Sequence, residues 1–364
     1  MVITISTLPQ HLPALDGIRA VAALGVVVTH VSFQTGTGWA FAERFDYFVA
    51  VFFALSAFVL WRRPLHPQYY RNRTARIAPA YLVCVIAVIL LFPEARSMDV
   101  AQILTNLTAT QIYIADGLAP GLTHLWSLCV EIAFYIALPL ITLACRSLNR
   151  PQRIAAILSA AVVSFAWPWL PFVANFDGEG INFQIWPPSY ISWFAVGMLA
   201  AEVEGRVFLK NYWRPIGWVL AIVIMWVASR EWFGPQGLTH PEPDEFNRRI
   251  LAGAAFAACI VLPYALGGPS RVLESPAGQF LGKISYSIFL WHVAVLGLMF
   301  PLTGISVFSG HFTLILVLTI AFTLVVSYAC YELVEEPARR YFRGTKRSAT
   351  AAAAKEVTKS ESPA

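Results

Sequence analysis

Several ionisable side chains fall inside otherwise apolar stretches of this chain, and their types could hold an anion and move a proton. His30 lies in the run 14–34, Glu131 in 124–145 and His292 in 284–301, with Asp16 and Arg19 nearer the start of the first run. Ionisable groups at mid-bilayer are costly and by default mark a substrate path or a proton relay. Arg19 and His30 are eleven residues apart. At 100° per residue, that spacing returns to within about 20° of one helix face. Their separation along the helix is about 16 Å at 1.5 Å per residue. His124, Ser127 and Glu131 share a face at i, i+3 and i+7. Counting from the ends of their runs puts His30 about 24 Å from one side of a core about 30 Å thick, and Glu131 about 10 Å from the other. The two depths nearly coincide, so the side chains could face one another. Arg73 and Arg76, at i and i+3, can turn two guanidiniums onto one anion.

The elements that must position these groups are membrane helices. Of the 364 residues, 57% are hydrophobic and only 13% charged, and the mean hydropathy is +0.61. Soluble domains carry about 25% charged residues, so water cannot be the solvent for most of this surface. The net charge of +5 does not mark a nucleic-acid binder, because the basic residues sit between apolar runs instead of clustering with aromatics. Five cysteines, Cys84, Cys129, Cys145, Cys259 and Cys330, lie in or beside apolar runs with no CxxC pair. That pattern argues against a disulfide framework and against a metal site.

A span needs about 20 mostly apolar residues. Such runs fall near 14–34, 45–62, 77–93, 124–145, 154–173, 187–204, 213–232, 249–266, 284–301 and 311–334. The expected fold is therefore all-α and polytopic, with about ten transmembrane helices. With the N-terminus inside, the cytoplasmic loops and tail carry twenty Lys and Arg against five on the opposite side. This positive-inside bias puts both termini in the cytoplasm. The stretch 100–115 has helical apolar spacing but reads as interfacial or re-entrant. The division expected is a cytoplasmic segment 1–13, a membrane domain 14–343 and a disordered Ala, Ser, Thr and Lys-rich tail 344–364. Residues 1–14 lack the basic start and cleavage site of a secretory signal.

Ordered motifs along residues 12–340 resemble the acyltransferase family 3 membrane proteins, which O-acylate glycans, glycolipids and antibiotics. Leu15-Asp16-Gly17-Ile18-Arg19, with ten residues between Arg19 and His30, is similar to that family's Arg-x10-His element. Phe52 to Phe58 resembles its second-helix motif, with Ala57 where Gly is usual. Arg73 and Arg76 match its Arg-x-x-Arg element, and His124 to Glu131 its fourth-span signature. Leu281 to His292, including Ser285 and Tyr286, and Glu335-Glu336-Pro337 complete the set.

The resemblance implies an acyl-CoA donor, acetyl-CoA by family habit, bound from the cytoplasm, and a hydroxyl acceptor arriving from outside. Arg19, Arg73 and Arg76 would hold the donor's phosphates. His30 would act as general base on the acceptor hydroxyl. Glu131 would orient the acceptor or fix the His30 tautomer. Asp16 would pair with Arg19, while His124, Ser127, Ser285, Tyr286 and His292 would line the substrate path or lock the packing. The expected acceptor is a cell-envelope glycolipid, a trehalose mycolate among them, or a polysaccharide, met in the inner (plasma) membrane bilayer. No metal and no nucleic acid are implied. The loops near 35–45, 174–186 and 232–247 would shape acceptor choice. Acylation of a secreted macrolide-type metabolite, a proton-coupled transporter or flippase, and a non-catalytic scaffold are the competing readings.

Overall fold

A computed structural model describes residues 11–342 except 177, 236 and 238, and these residues form helices and turns with no strand among them. The expected tail 344–364 and most of the segment 1–13 lie outside the described residues. The main helices are α1 (Pro13–Thr35), α2 (Phe48–Trp61), α3 (Tyr69–Leu91), α4 (Val100–Thr108), α5 (Trp126–Ala144) and α6 (Arg150–Ser164). They are followed by α7 (Ile191–Val203), α8 (Trp213–Ala228), α9 (Pro243–Ala265), α10 (Pro276–Thr303) and α11 (Phe312–Cys330).

The helix ends follow local chemistry. Pro occupies the first turn of α1, α6, α9 and α10, where a missing N–H costs nothing. Asp99 with Gln102, and Asn149 with Gln152, close capping boxes on α4 and α6. Gly36 ends α1 at φ +64°, a conformation that other residues resist.

Among the described residues, seven helices are long and apolar enough to cross a membrane: Pro13–Thr35, Ala40–Trp61, Tyr69–Leu91, Thr123–Ala144, Pro243–Ala265, Pro276–Thr303 and Phe312–Phe342. The other three expected spans are helical but shorter. α6, α7 and α8 hold 15, 13 and 16 residues. Proline explains two of the shortfalls. The run 154–173 breaks after Ser164 into a tight turn at Trp167–Trp169 around Pro168, and 187–204 opens with a turn at Pro187–Tyr190 before α7 begins. α4, with nine residues, is about 14 Å long, too short for a core of about 30 Å.

Leu90, Leu140, Val162, Val317 and Val325 are each more than half exposed. Such an apolar girdle is stable only against lipid. α2 runs through the middle of the bundle. A Cβ on Gly197 of α7 would lie 1.9 Å from the Ala54 carbonyl oxygen of α2. The close helix approach of the second-helix motif is thus supplied by a glycine on the facing helix, while Ala57 is itself fully buried. Arg62 pairs with Glu204, while Trp61 and Arg153 both donate to Glu202, which ties the same ends of α2, α6 and α7 together.

Candidate active site

His11 and Phe342, near the two ends of the described chain, line one cavity of about 690 Å³. Arg62, Arg63, Arg73, Arg76, Lys283 and Arg339 stand around it, with Arg19. Asp16 and Glu336 are the acids on its wall. Asp16 accepts from Arg19 at 2.6 Å and bonds His11 at 2.8 Å, and Glu336 accepts from Arg340 at 2.9 Å. The excess of guanidinium suits a polyanion.

This cavity narrows into a second chamber of about 70 Å³, lined by Phe52, Ser56, Ser127, Glu131, Tyr135 and Phe289. Arg19, Arg73, Arg76, Ser285 and Tyr286 border both spaces, so the guanidiniums form the seam between them. The Nε of Arg73 is buried with no hydrogen-bond partner. A buried donor of this kind calls for an acceptor, which a phosphate would supply. Glu131 accepts hydrogen bonds from Ser56 and Tyr135, and the Arg73 guanidinium lies 5.9 Å from the Tyr135 ring centroid.

Beyond the chamber, three imidazoles meet. The ring centroids of His30 and His292 are 4.9 Å apart, those of His124 and His292 4.7 Å, and those of His30 and His124 6.0 Å. Neighbouring carbonyls fix which nitrogen carries each proton, because a carbonyl can only accept. His292 Nδ1 lies 2.7 Å from the Phe289 oxygen, so it donates there and its Nε2 keeps a lone pair. His30 Nδ1 lies 2.8 Å from the Val26 oxygen and 3.2 Å from His292 Nε2, so it is the donor to both. His30 Nε2 is then unprotonated. His124 Nε2 donates to the Leu290 oxygen at 3.1 Å, which leaves Nδ1 as its lone pair, buried and without a partner. His30 is half-buried, while His124 and His292 are buried.

A family model for an acyltransferase domain, that of acyltransferase family 3, matches residues 12–332. The chain belongs to the acyltransferase 3 family. It is similar to O-acetyltransferase OatA of Staphylococcus aureus (strain NCTC 8325 / PS 47), 24% identical over 91% of this chain and 58% of the relative. It is also 23% identical, over the same shares, to a Staphylococcus aureus (strain COL) protein that bears an unproven O-acetyltransferase designation. The chain therefore spans about 58% of the length of these curated relatives. No solved structure matches it. The family and its relatives support an O-acyltransferase.

Most residues singled out from the acyltransferase motifs converge. Arg19, Arg73, Arg76, Ser127, Glu131, Ser285 and Tyr286 line the chamber, Asp16 lies at its wide mouth, and His30, His124 and His292 cluster beyond it. The hydroxyls of Ser127, Ser285 and Tyr286 donate to the carbonyls of His124, Gly282 and Ile77. Two expectations meet a different arrangement. Glu131 bonds Ser56 and Tyr135, and the neighbour that accepts from His30 is His292. The stripe from Arg19 to His30 is also interrupted. Phe289 lines the chamber while its ring packs 5.4 Å from that of His124 and 6.0 Å from that of Phe52. A layer of two phenyl rings thus stands between guanidiniums and imidazoles. Sequence reasoning missed Ser56, Tyr135 and Phe289. Tyr135 was findable as the i+4 neighbour of Glu131, but nothing in a run of apolar residues singles out one phenylalanine as the divider.

Proposed function

We propose that this acyltransferase moves an acyl group, acetyl by preference, from cytoplasmic acyl-CoA to a hydroxyl of an extracytoplasmic acceptor in the cell envelope, a glycolipid or polysaccharide. The observation that carries this reading is the graded passage. A wide cationic mouth narrows at three arginines to a small chamber, and the chamber ends at Phe289, whose ring packs against the His124 imidazole.

Topology supports the two-sided arrangement. His11 and Phe342 line one cavity, which is what an even number of crossings would give. Seven helices are long enough to span, and the reading of about ten crossings adds the shorter α6, α7 and α8. The excess of basic residues in the loops on that side supports a wide mouth facing the cytoplasm, as the reading of an inner (plasma) membrane enzyme requires.

The residues divide the chemistry. Arg19, Arg73 and Arg76 hold the donor's phosphates at the seam, and its uncharged arm extends into the chamber. Phe289 turns aside so that the thioester carbonyl reaches His30. His30 Nε2 takes the proton of the acceptor hydroxyl while that oxygen attacks the thioester carbon. The C–S bond breaks, an ester forms, and the released thiolate recovers a proton from the imidazolium. His292 and the Val26 carbonyl hold His30 in the tautomer this requires. Glu131 keeps Tyr135 and Ser56 in place around the arm. Base catalysis of this kind contributes about 10²–10⁴-fold.

The test is transfer of labelled acetyl from acetyl-CoA to lipid or glycan by the protein reconstituted in vesicles. Product should appear with the unmodified chain and fall about 10²–10⁴-fold with His30→Ala. Equal transfer by His30→Ala would remove His30 from the mechanism. Proton-coupled uptake without any transfer would replace the reading with that of a transporter.

A further inference from the structure

Coenzyme A carries two separate anions, the pyrophosphate at the foot of its arm and a phosphate on the ribose 3′ oxygen. The arginines of the seam answer the first. The wide part of the cavity holds further cations, among them Lys283 of α10 and Arg339, which border that space and not the inner chamber. One buried contact sets the level of both. Ser287 of α10 donates to Glu335, whose carboxylate side chain is 1% exposed. α10 runs away from the mouth, and the chain after α11 packs on it and runs back. Lys283 and Arg339 each lie four residues nearer the mouth than that contact, about 6 Å along either helix. They stand at one depth on neighbouring helices.

Arg339 is also held from behind. The helix that continues α11 contains a widened turn, Tyr331–Glu335. One extra residue in a turn rotates everything beyond it by about 100°, and such turns gather at functional sites. The residues so turned include Glu336, Arg339 and Phe342, all on the cavity wall. Glu335 accepts from Arg339 at 3.3 Å, and the guanidinium lies 5.8 Å from the Tyr331 ring centroid. A carboxylate buried this deeply is costly unless paired. Its pairing with Ser287 and Arg339 fixes one edge of the guanidinium and leaves the rest to the cavity. Lys283 is exposed and has no hydrogen bond or ion pair among the described residues. Arg62 on the same wall is engaged by Glu204.

We infer that Lys283 and Arg339 form a second phosphate site, which reads the 3′-phosphate of coenzyme A, and that Glu335 is the positioning residue that aims Arg339 at it. The inference rests on the acyl-CoA reading above and adds which part of the donor is recognised. A phosphomonoester carries nearly two negative charges at neutral pH and three acceptor oxygens, enough for an ammonium and a guanidinium together. An acyl group on 3′-dephospho-CoA, or on a carrier protein's phosphopantetheine arm, leaves this pair unused. The mouth thus selects coenzyme A itself among thioesters that share one arm.

The test is calorimetric binding of coenzyme A and of 3′-dephospho-CoA to the protein in nanodiscs of zwitterionic lipid, without acceptor. The unmodified protein should bind coenzyme A about tenfold more tightly or better, since charge-assisted contacts in a partly wet mouth are involved. Lys283→Gln and Arg339→Gln should each cut that preference to about threefold or less, with binding of the dephospho form nearly unchanged. Glu335→Gln should shrink the preference too, whereas a purely structural role would weaken both ligands alike. Ser287→Ala, which loosens Glu335, replaces that variant if it fails to fold. Arg340→Gln removes the same charge from outside the cavity wall and should keep the preference. Equal affinity of the unmodified protein for the two ligands would overturn the inference and leave the transferase reading standing. So would a preference that survives Lys283→Gln and Arg339→Gln, or one that Arg340→Gln abolishes equally. Binding of neither ligand would sink the acyl-CoA reading itself.

Discussion

His292 should matter to catalysis far less than His30, although the two rings touch. Removing His30 would take away the proposed base itself, about 10²–10⁴-fold. Removing His292 takes away one acceptor, because His30 Nδ1 still donates to the Val26 carbonyl at 2.8 Å. A neutral hydrogen bond is worth about 0.5–1.5 kcal/mol net, which corresponds to roughly 2- to 12-fold in rate. His292 is fully buried, so Ala would also leave a cavity; Leu keeps the volume while deleting the acceptor. His292→Leu is therefore expected to lower kcat about 2- to 12-fold. His292→Gln, whose amide oxygen can accept, should recover most of that loss. The assay is acetyl transfer in proteoliposomes at saturating acetyl-CoA, with kcat and KM resolved for each variant. If His292→Leu fell as far as His30→Ala, His292 would be the base and the tautomer argument would be wrong. His124→Gln serves as the third arm, since His124 holds the other free lone pair of the cluster.

Further outcomes follow from the same geometry. Phe289→Ala should open the phenyl layer and let water reach the thioester, raising acetyl-CoA hydrolysis measured without acceptor; an unchanged hydrolysis rate would show that the layer is no barrier. Arg73→Ala should raise KM for acetyl-CoA about tenfold with little change in kcat, since one charged hydrogen bond to phosphate in a partly wet mouth is lost. A change confined to kcat would move Arg73 out of donor binding. Gly197→Ala puts a Cβ 1.9 Å from the Ala54 carbonyl oxygen and should destabilise the α2–α7 pair by about 1–3 kcal/mol, read as a lower apparent Tm in detergent. An unshifted Tm would mean that the two helices part freely.

Much of this molecule could be read from its sequence because lipid makes charges scarce. Arg19, Arg73, Arg76, Glu131 and the histidines stood out against apolar surroundings, and the 3.6-residue period placed Arg19 and His30 on one face. What remained hidden is set by neighbours on other helices. Depth along a helix says nothing of azimuth, so the equal depths of His30 and Glu131 did not reveal that Ser56 and Tyr135 claim the carboxylate. Phe289 is one phenylalanine among 25, and only packing distinguishes it. The shortness of α6 and α7 was legible in Pro168 and in Pro187 with Pro188. Hydropathy averaged over a window passes across such breaks, because proline ends a helix without making the stretch polar.

The three arginines at the seam have one more consequence. On the proposed donor reading they would act as a stop for charged groups: the donor would halt with its phosphates there and only its neutral extension would proceed. How far that extension reaches would then be set by the donor's own length, measured against the ten residues of α1 between Arg19 and His30. The carbonyl would then arrive at one depth, and a longer acyl chain would have to find room past the imidazoles instead of drawing back toward the mouth. The protein would then sort acyl chains by the space beyond His30 while remaining indifferent to them at the point of entry.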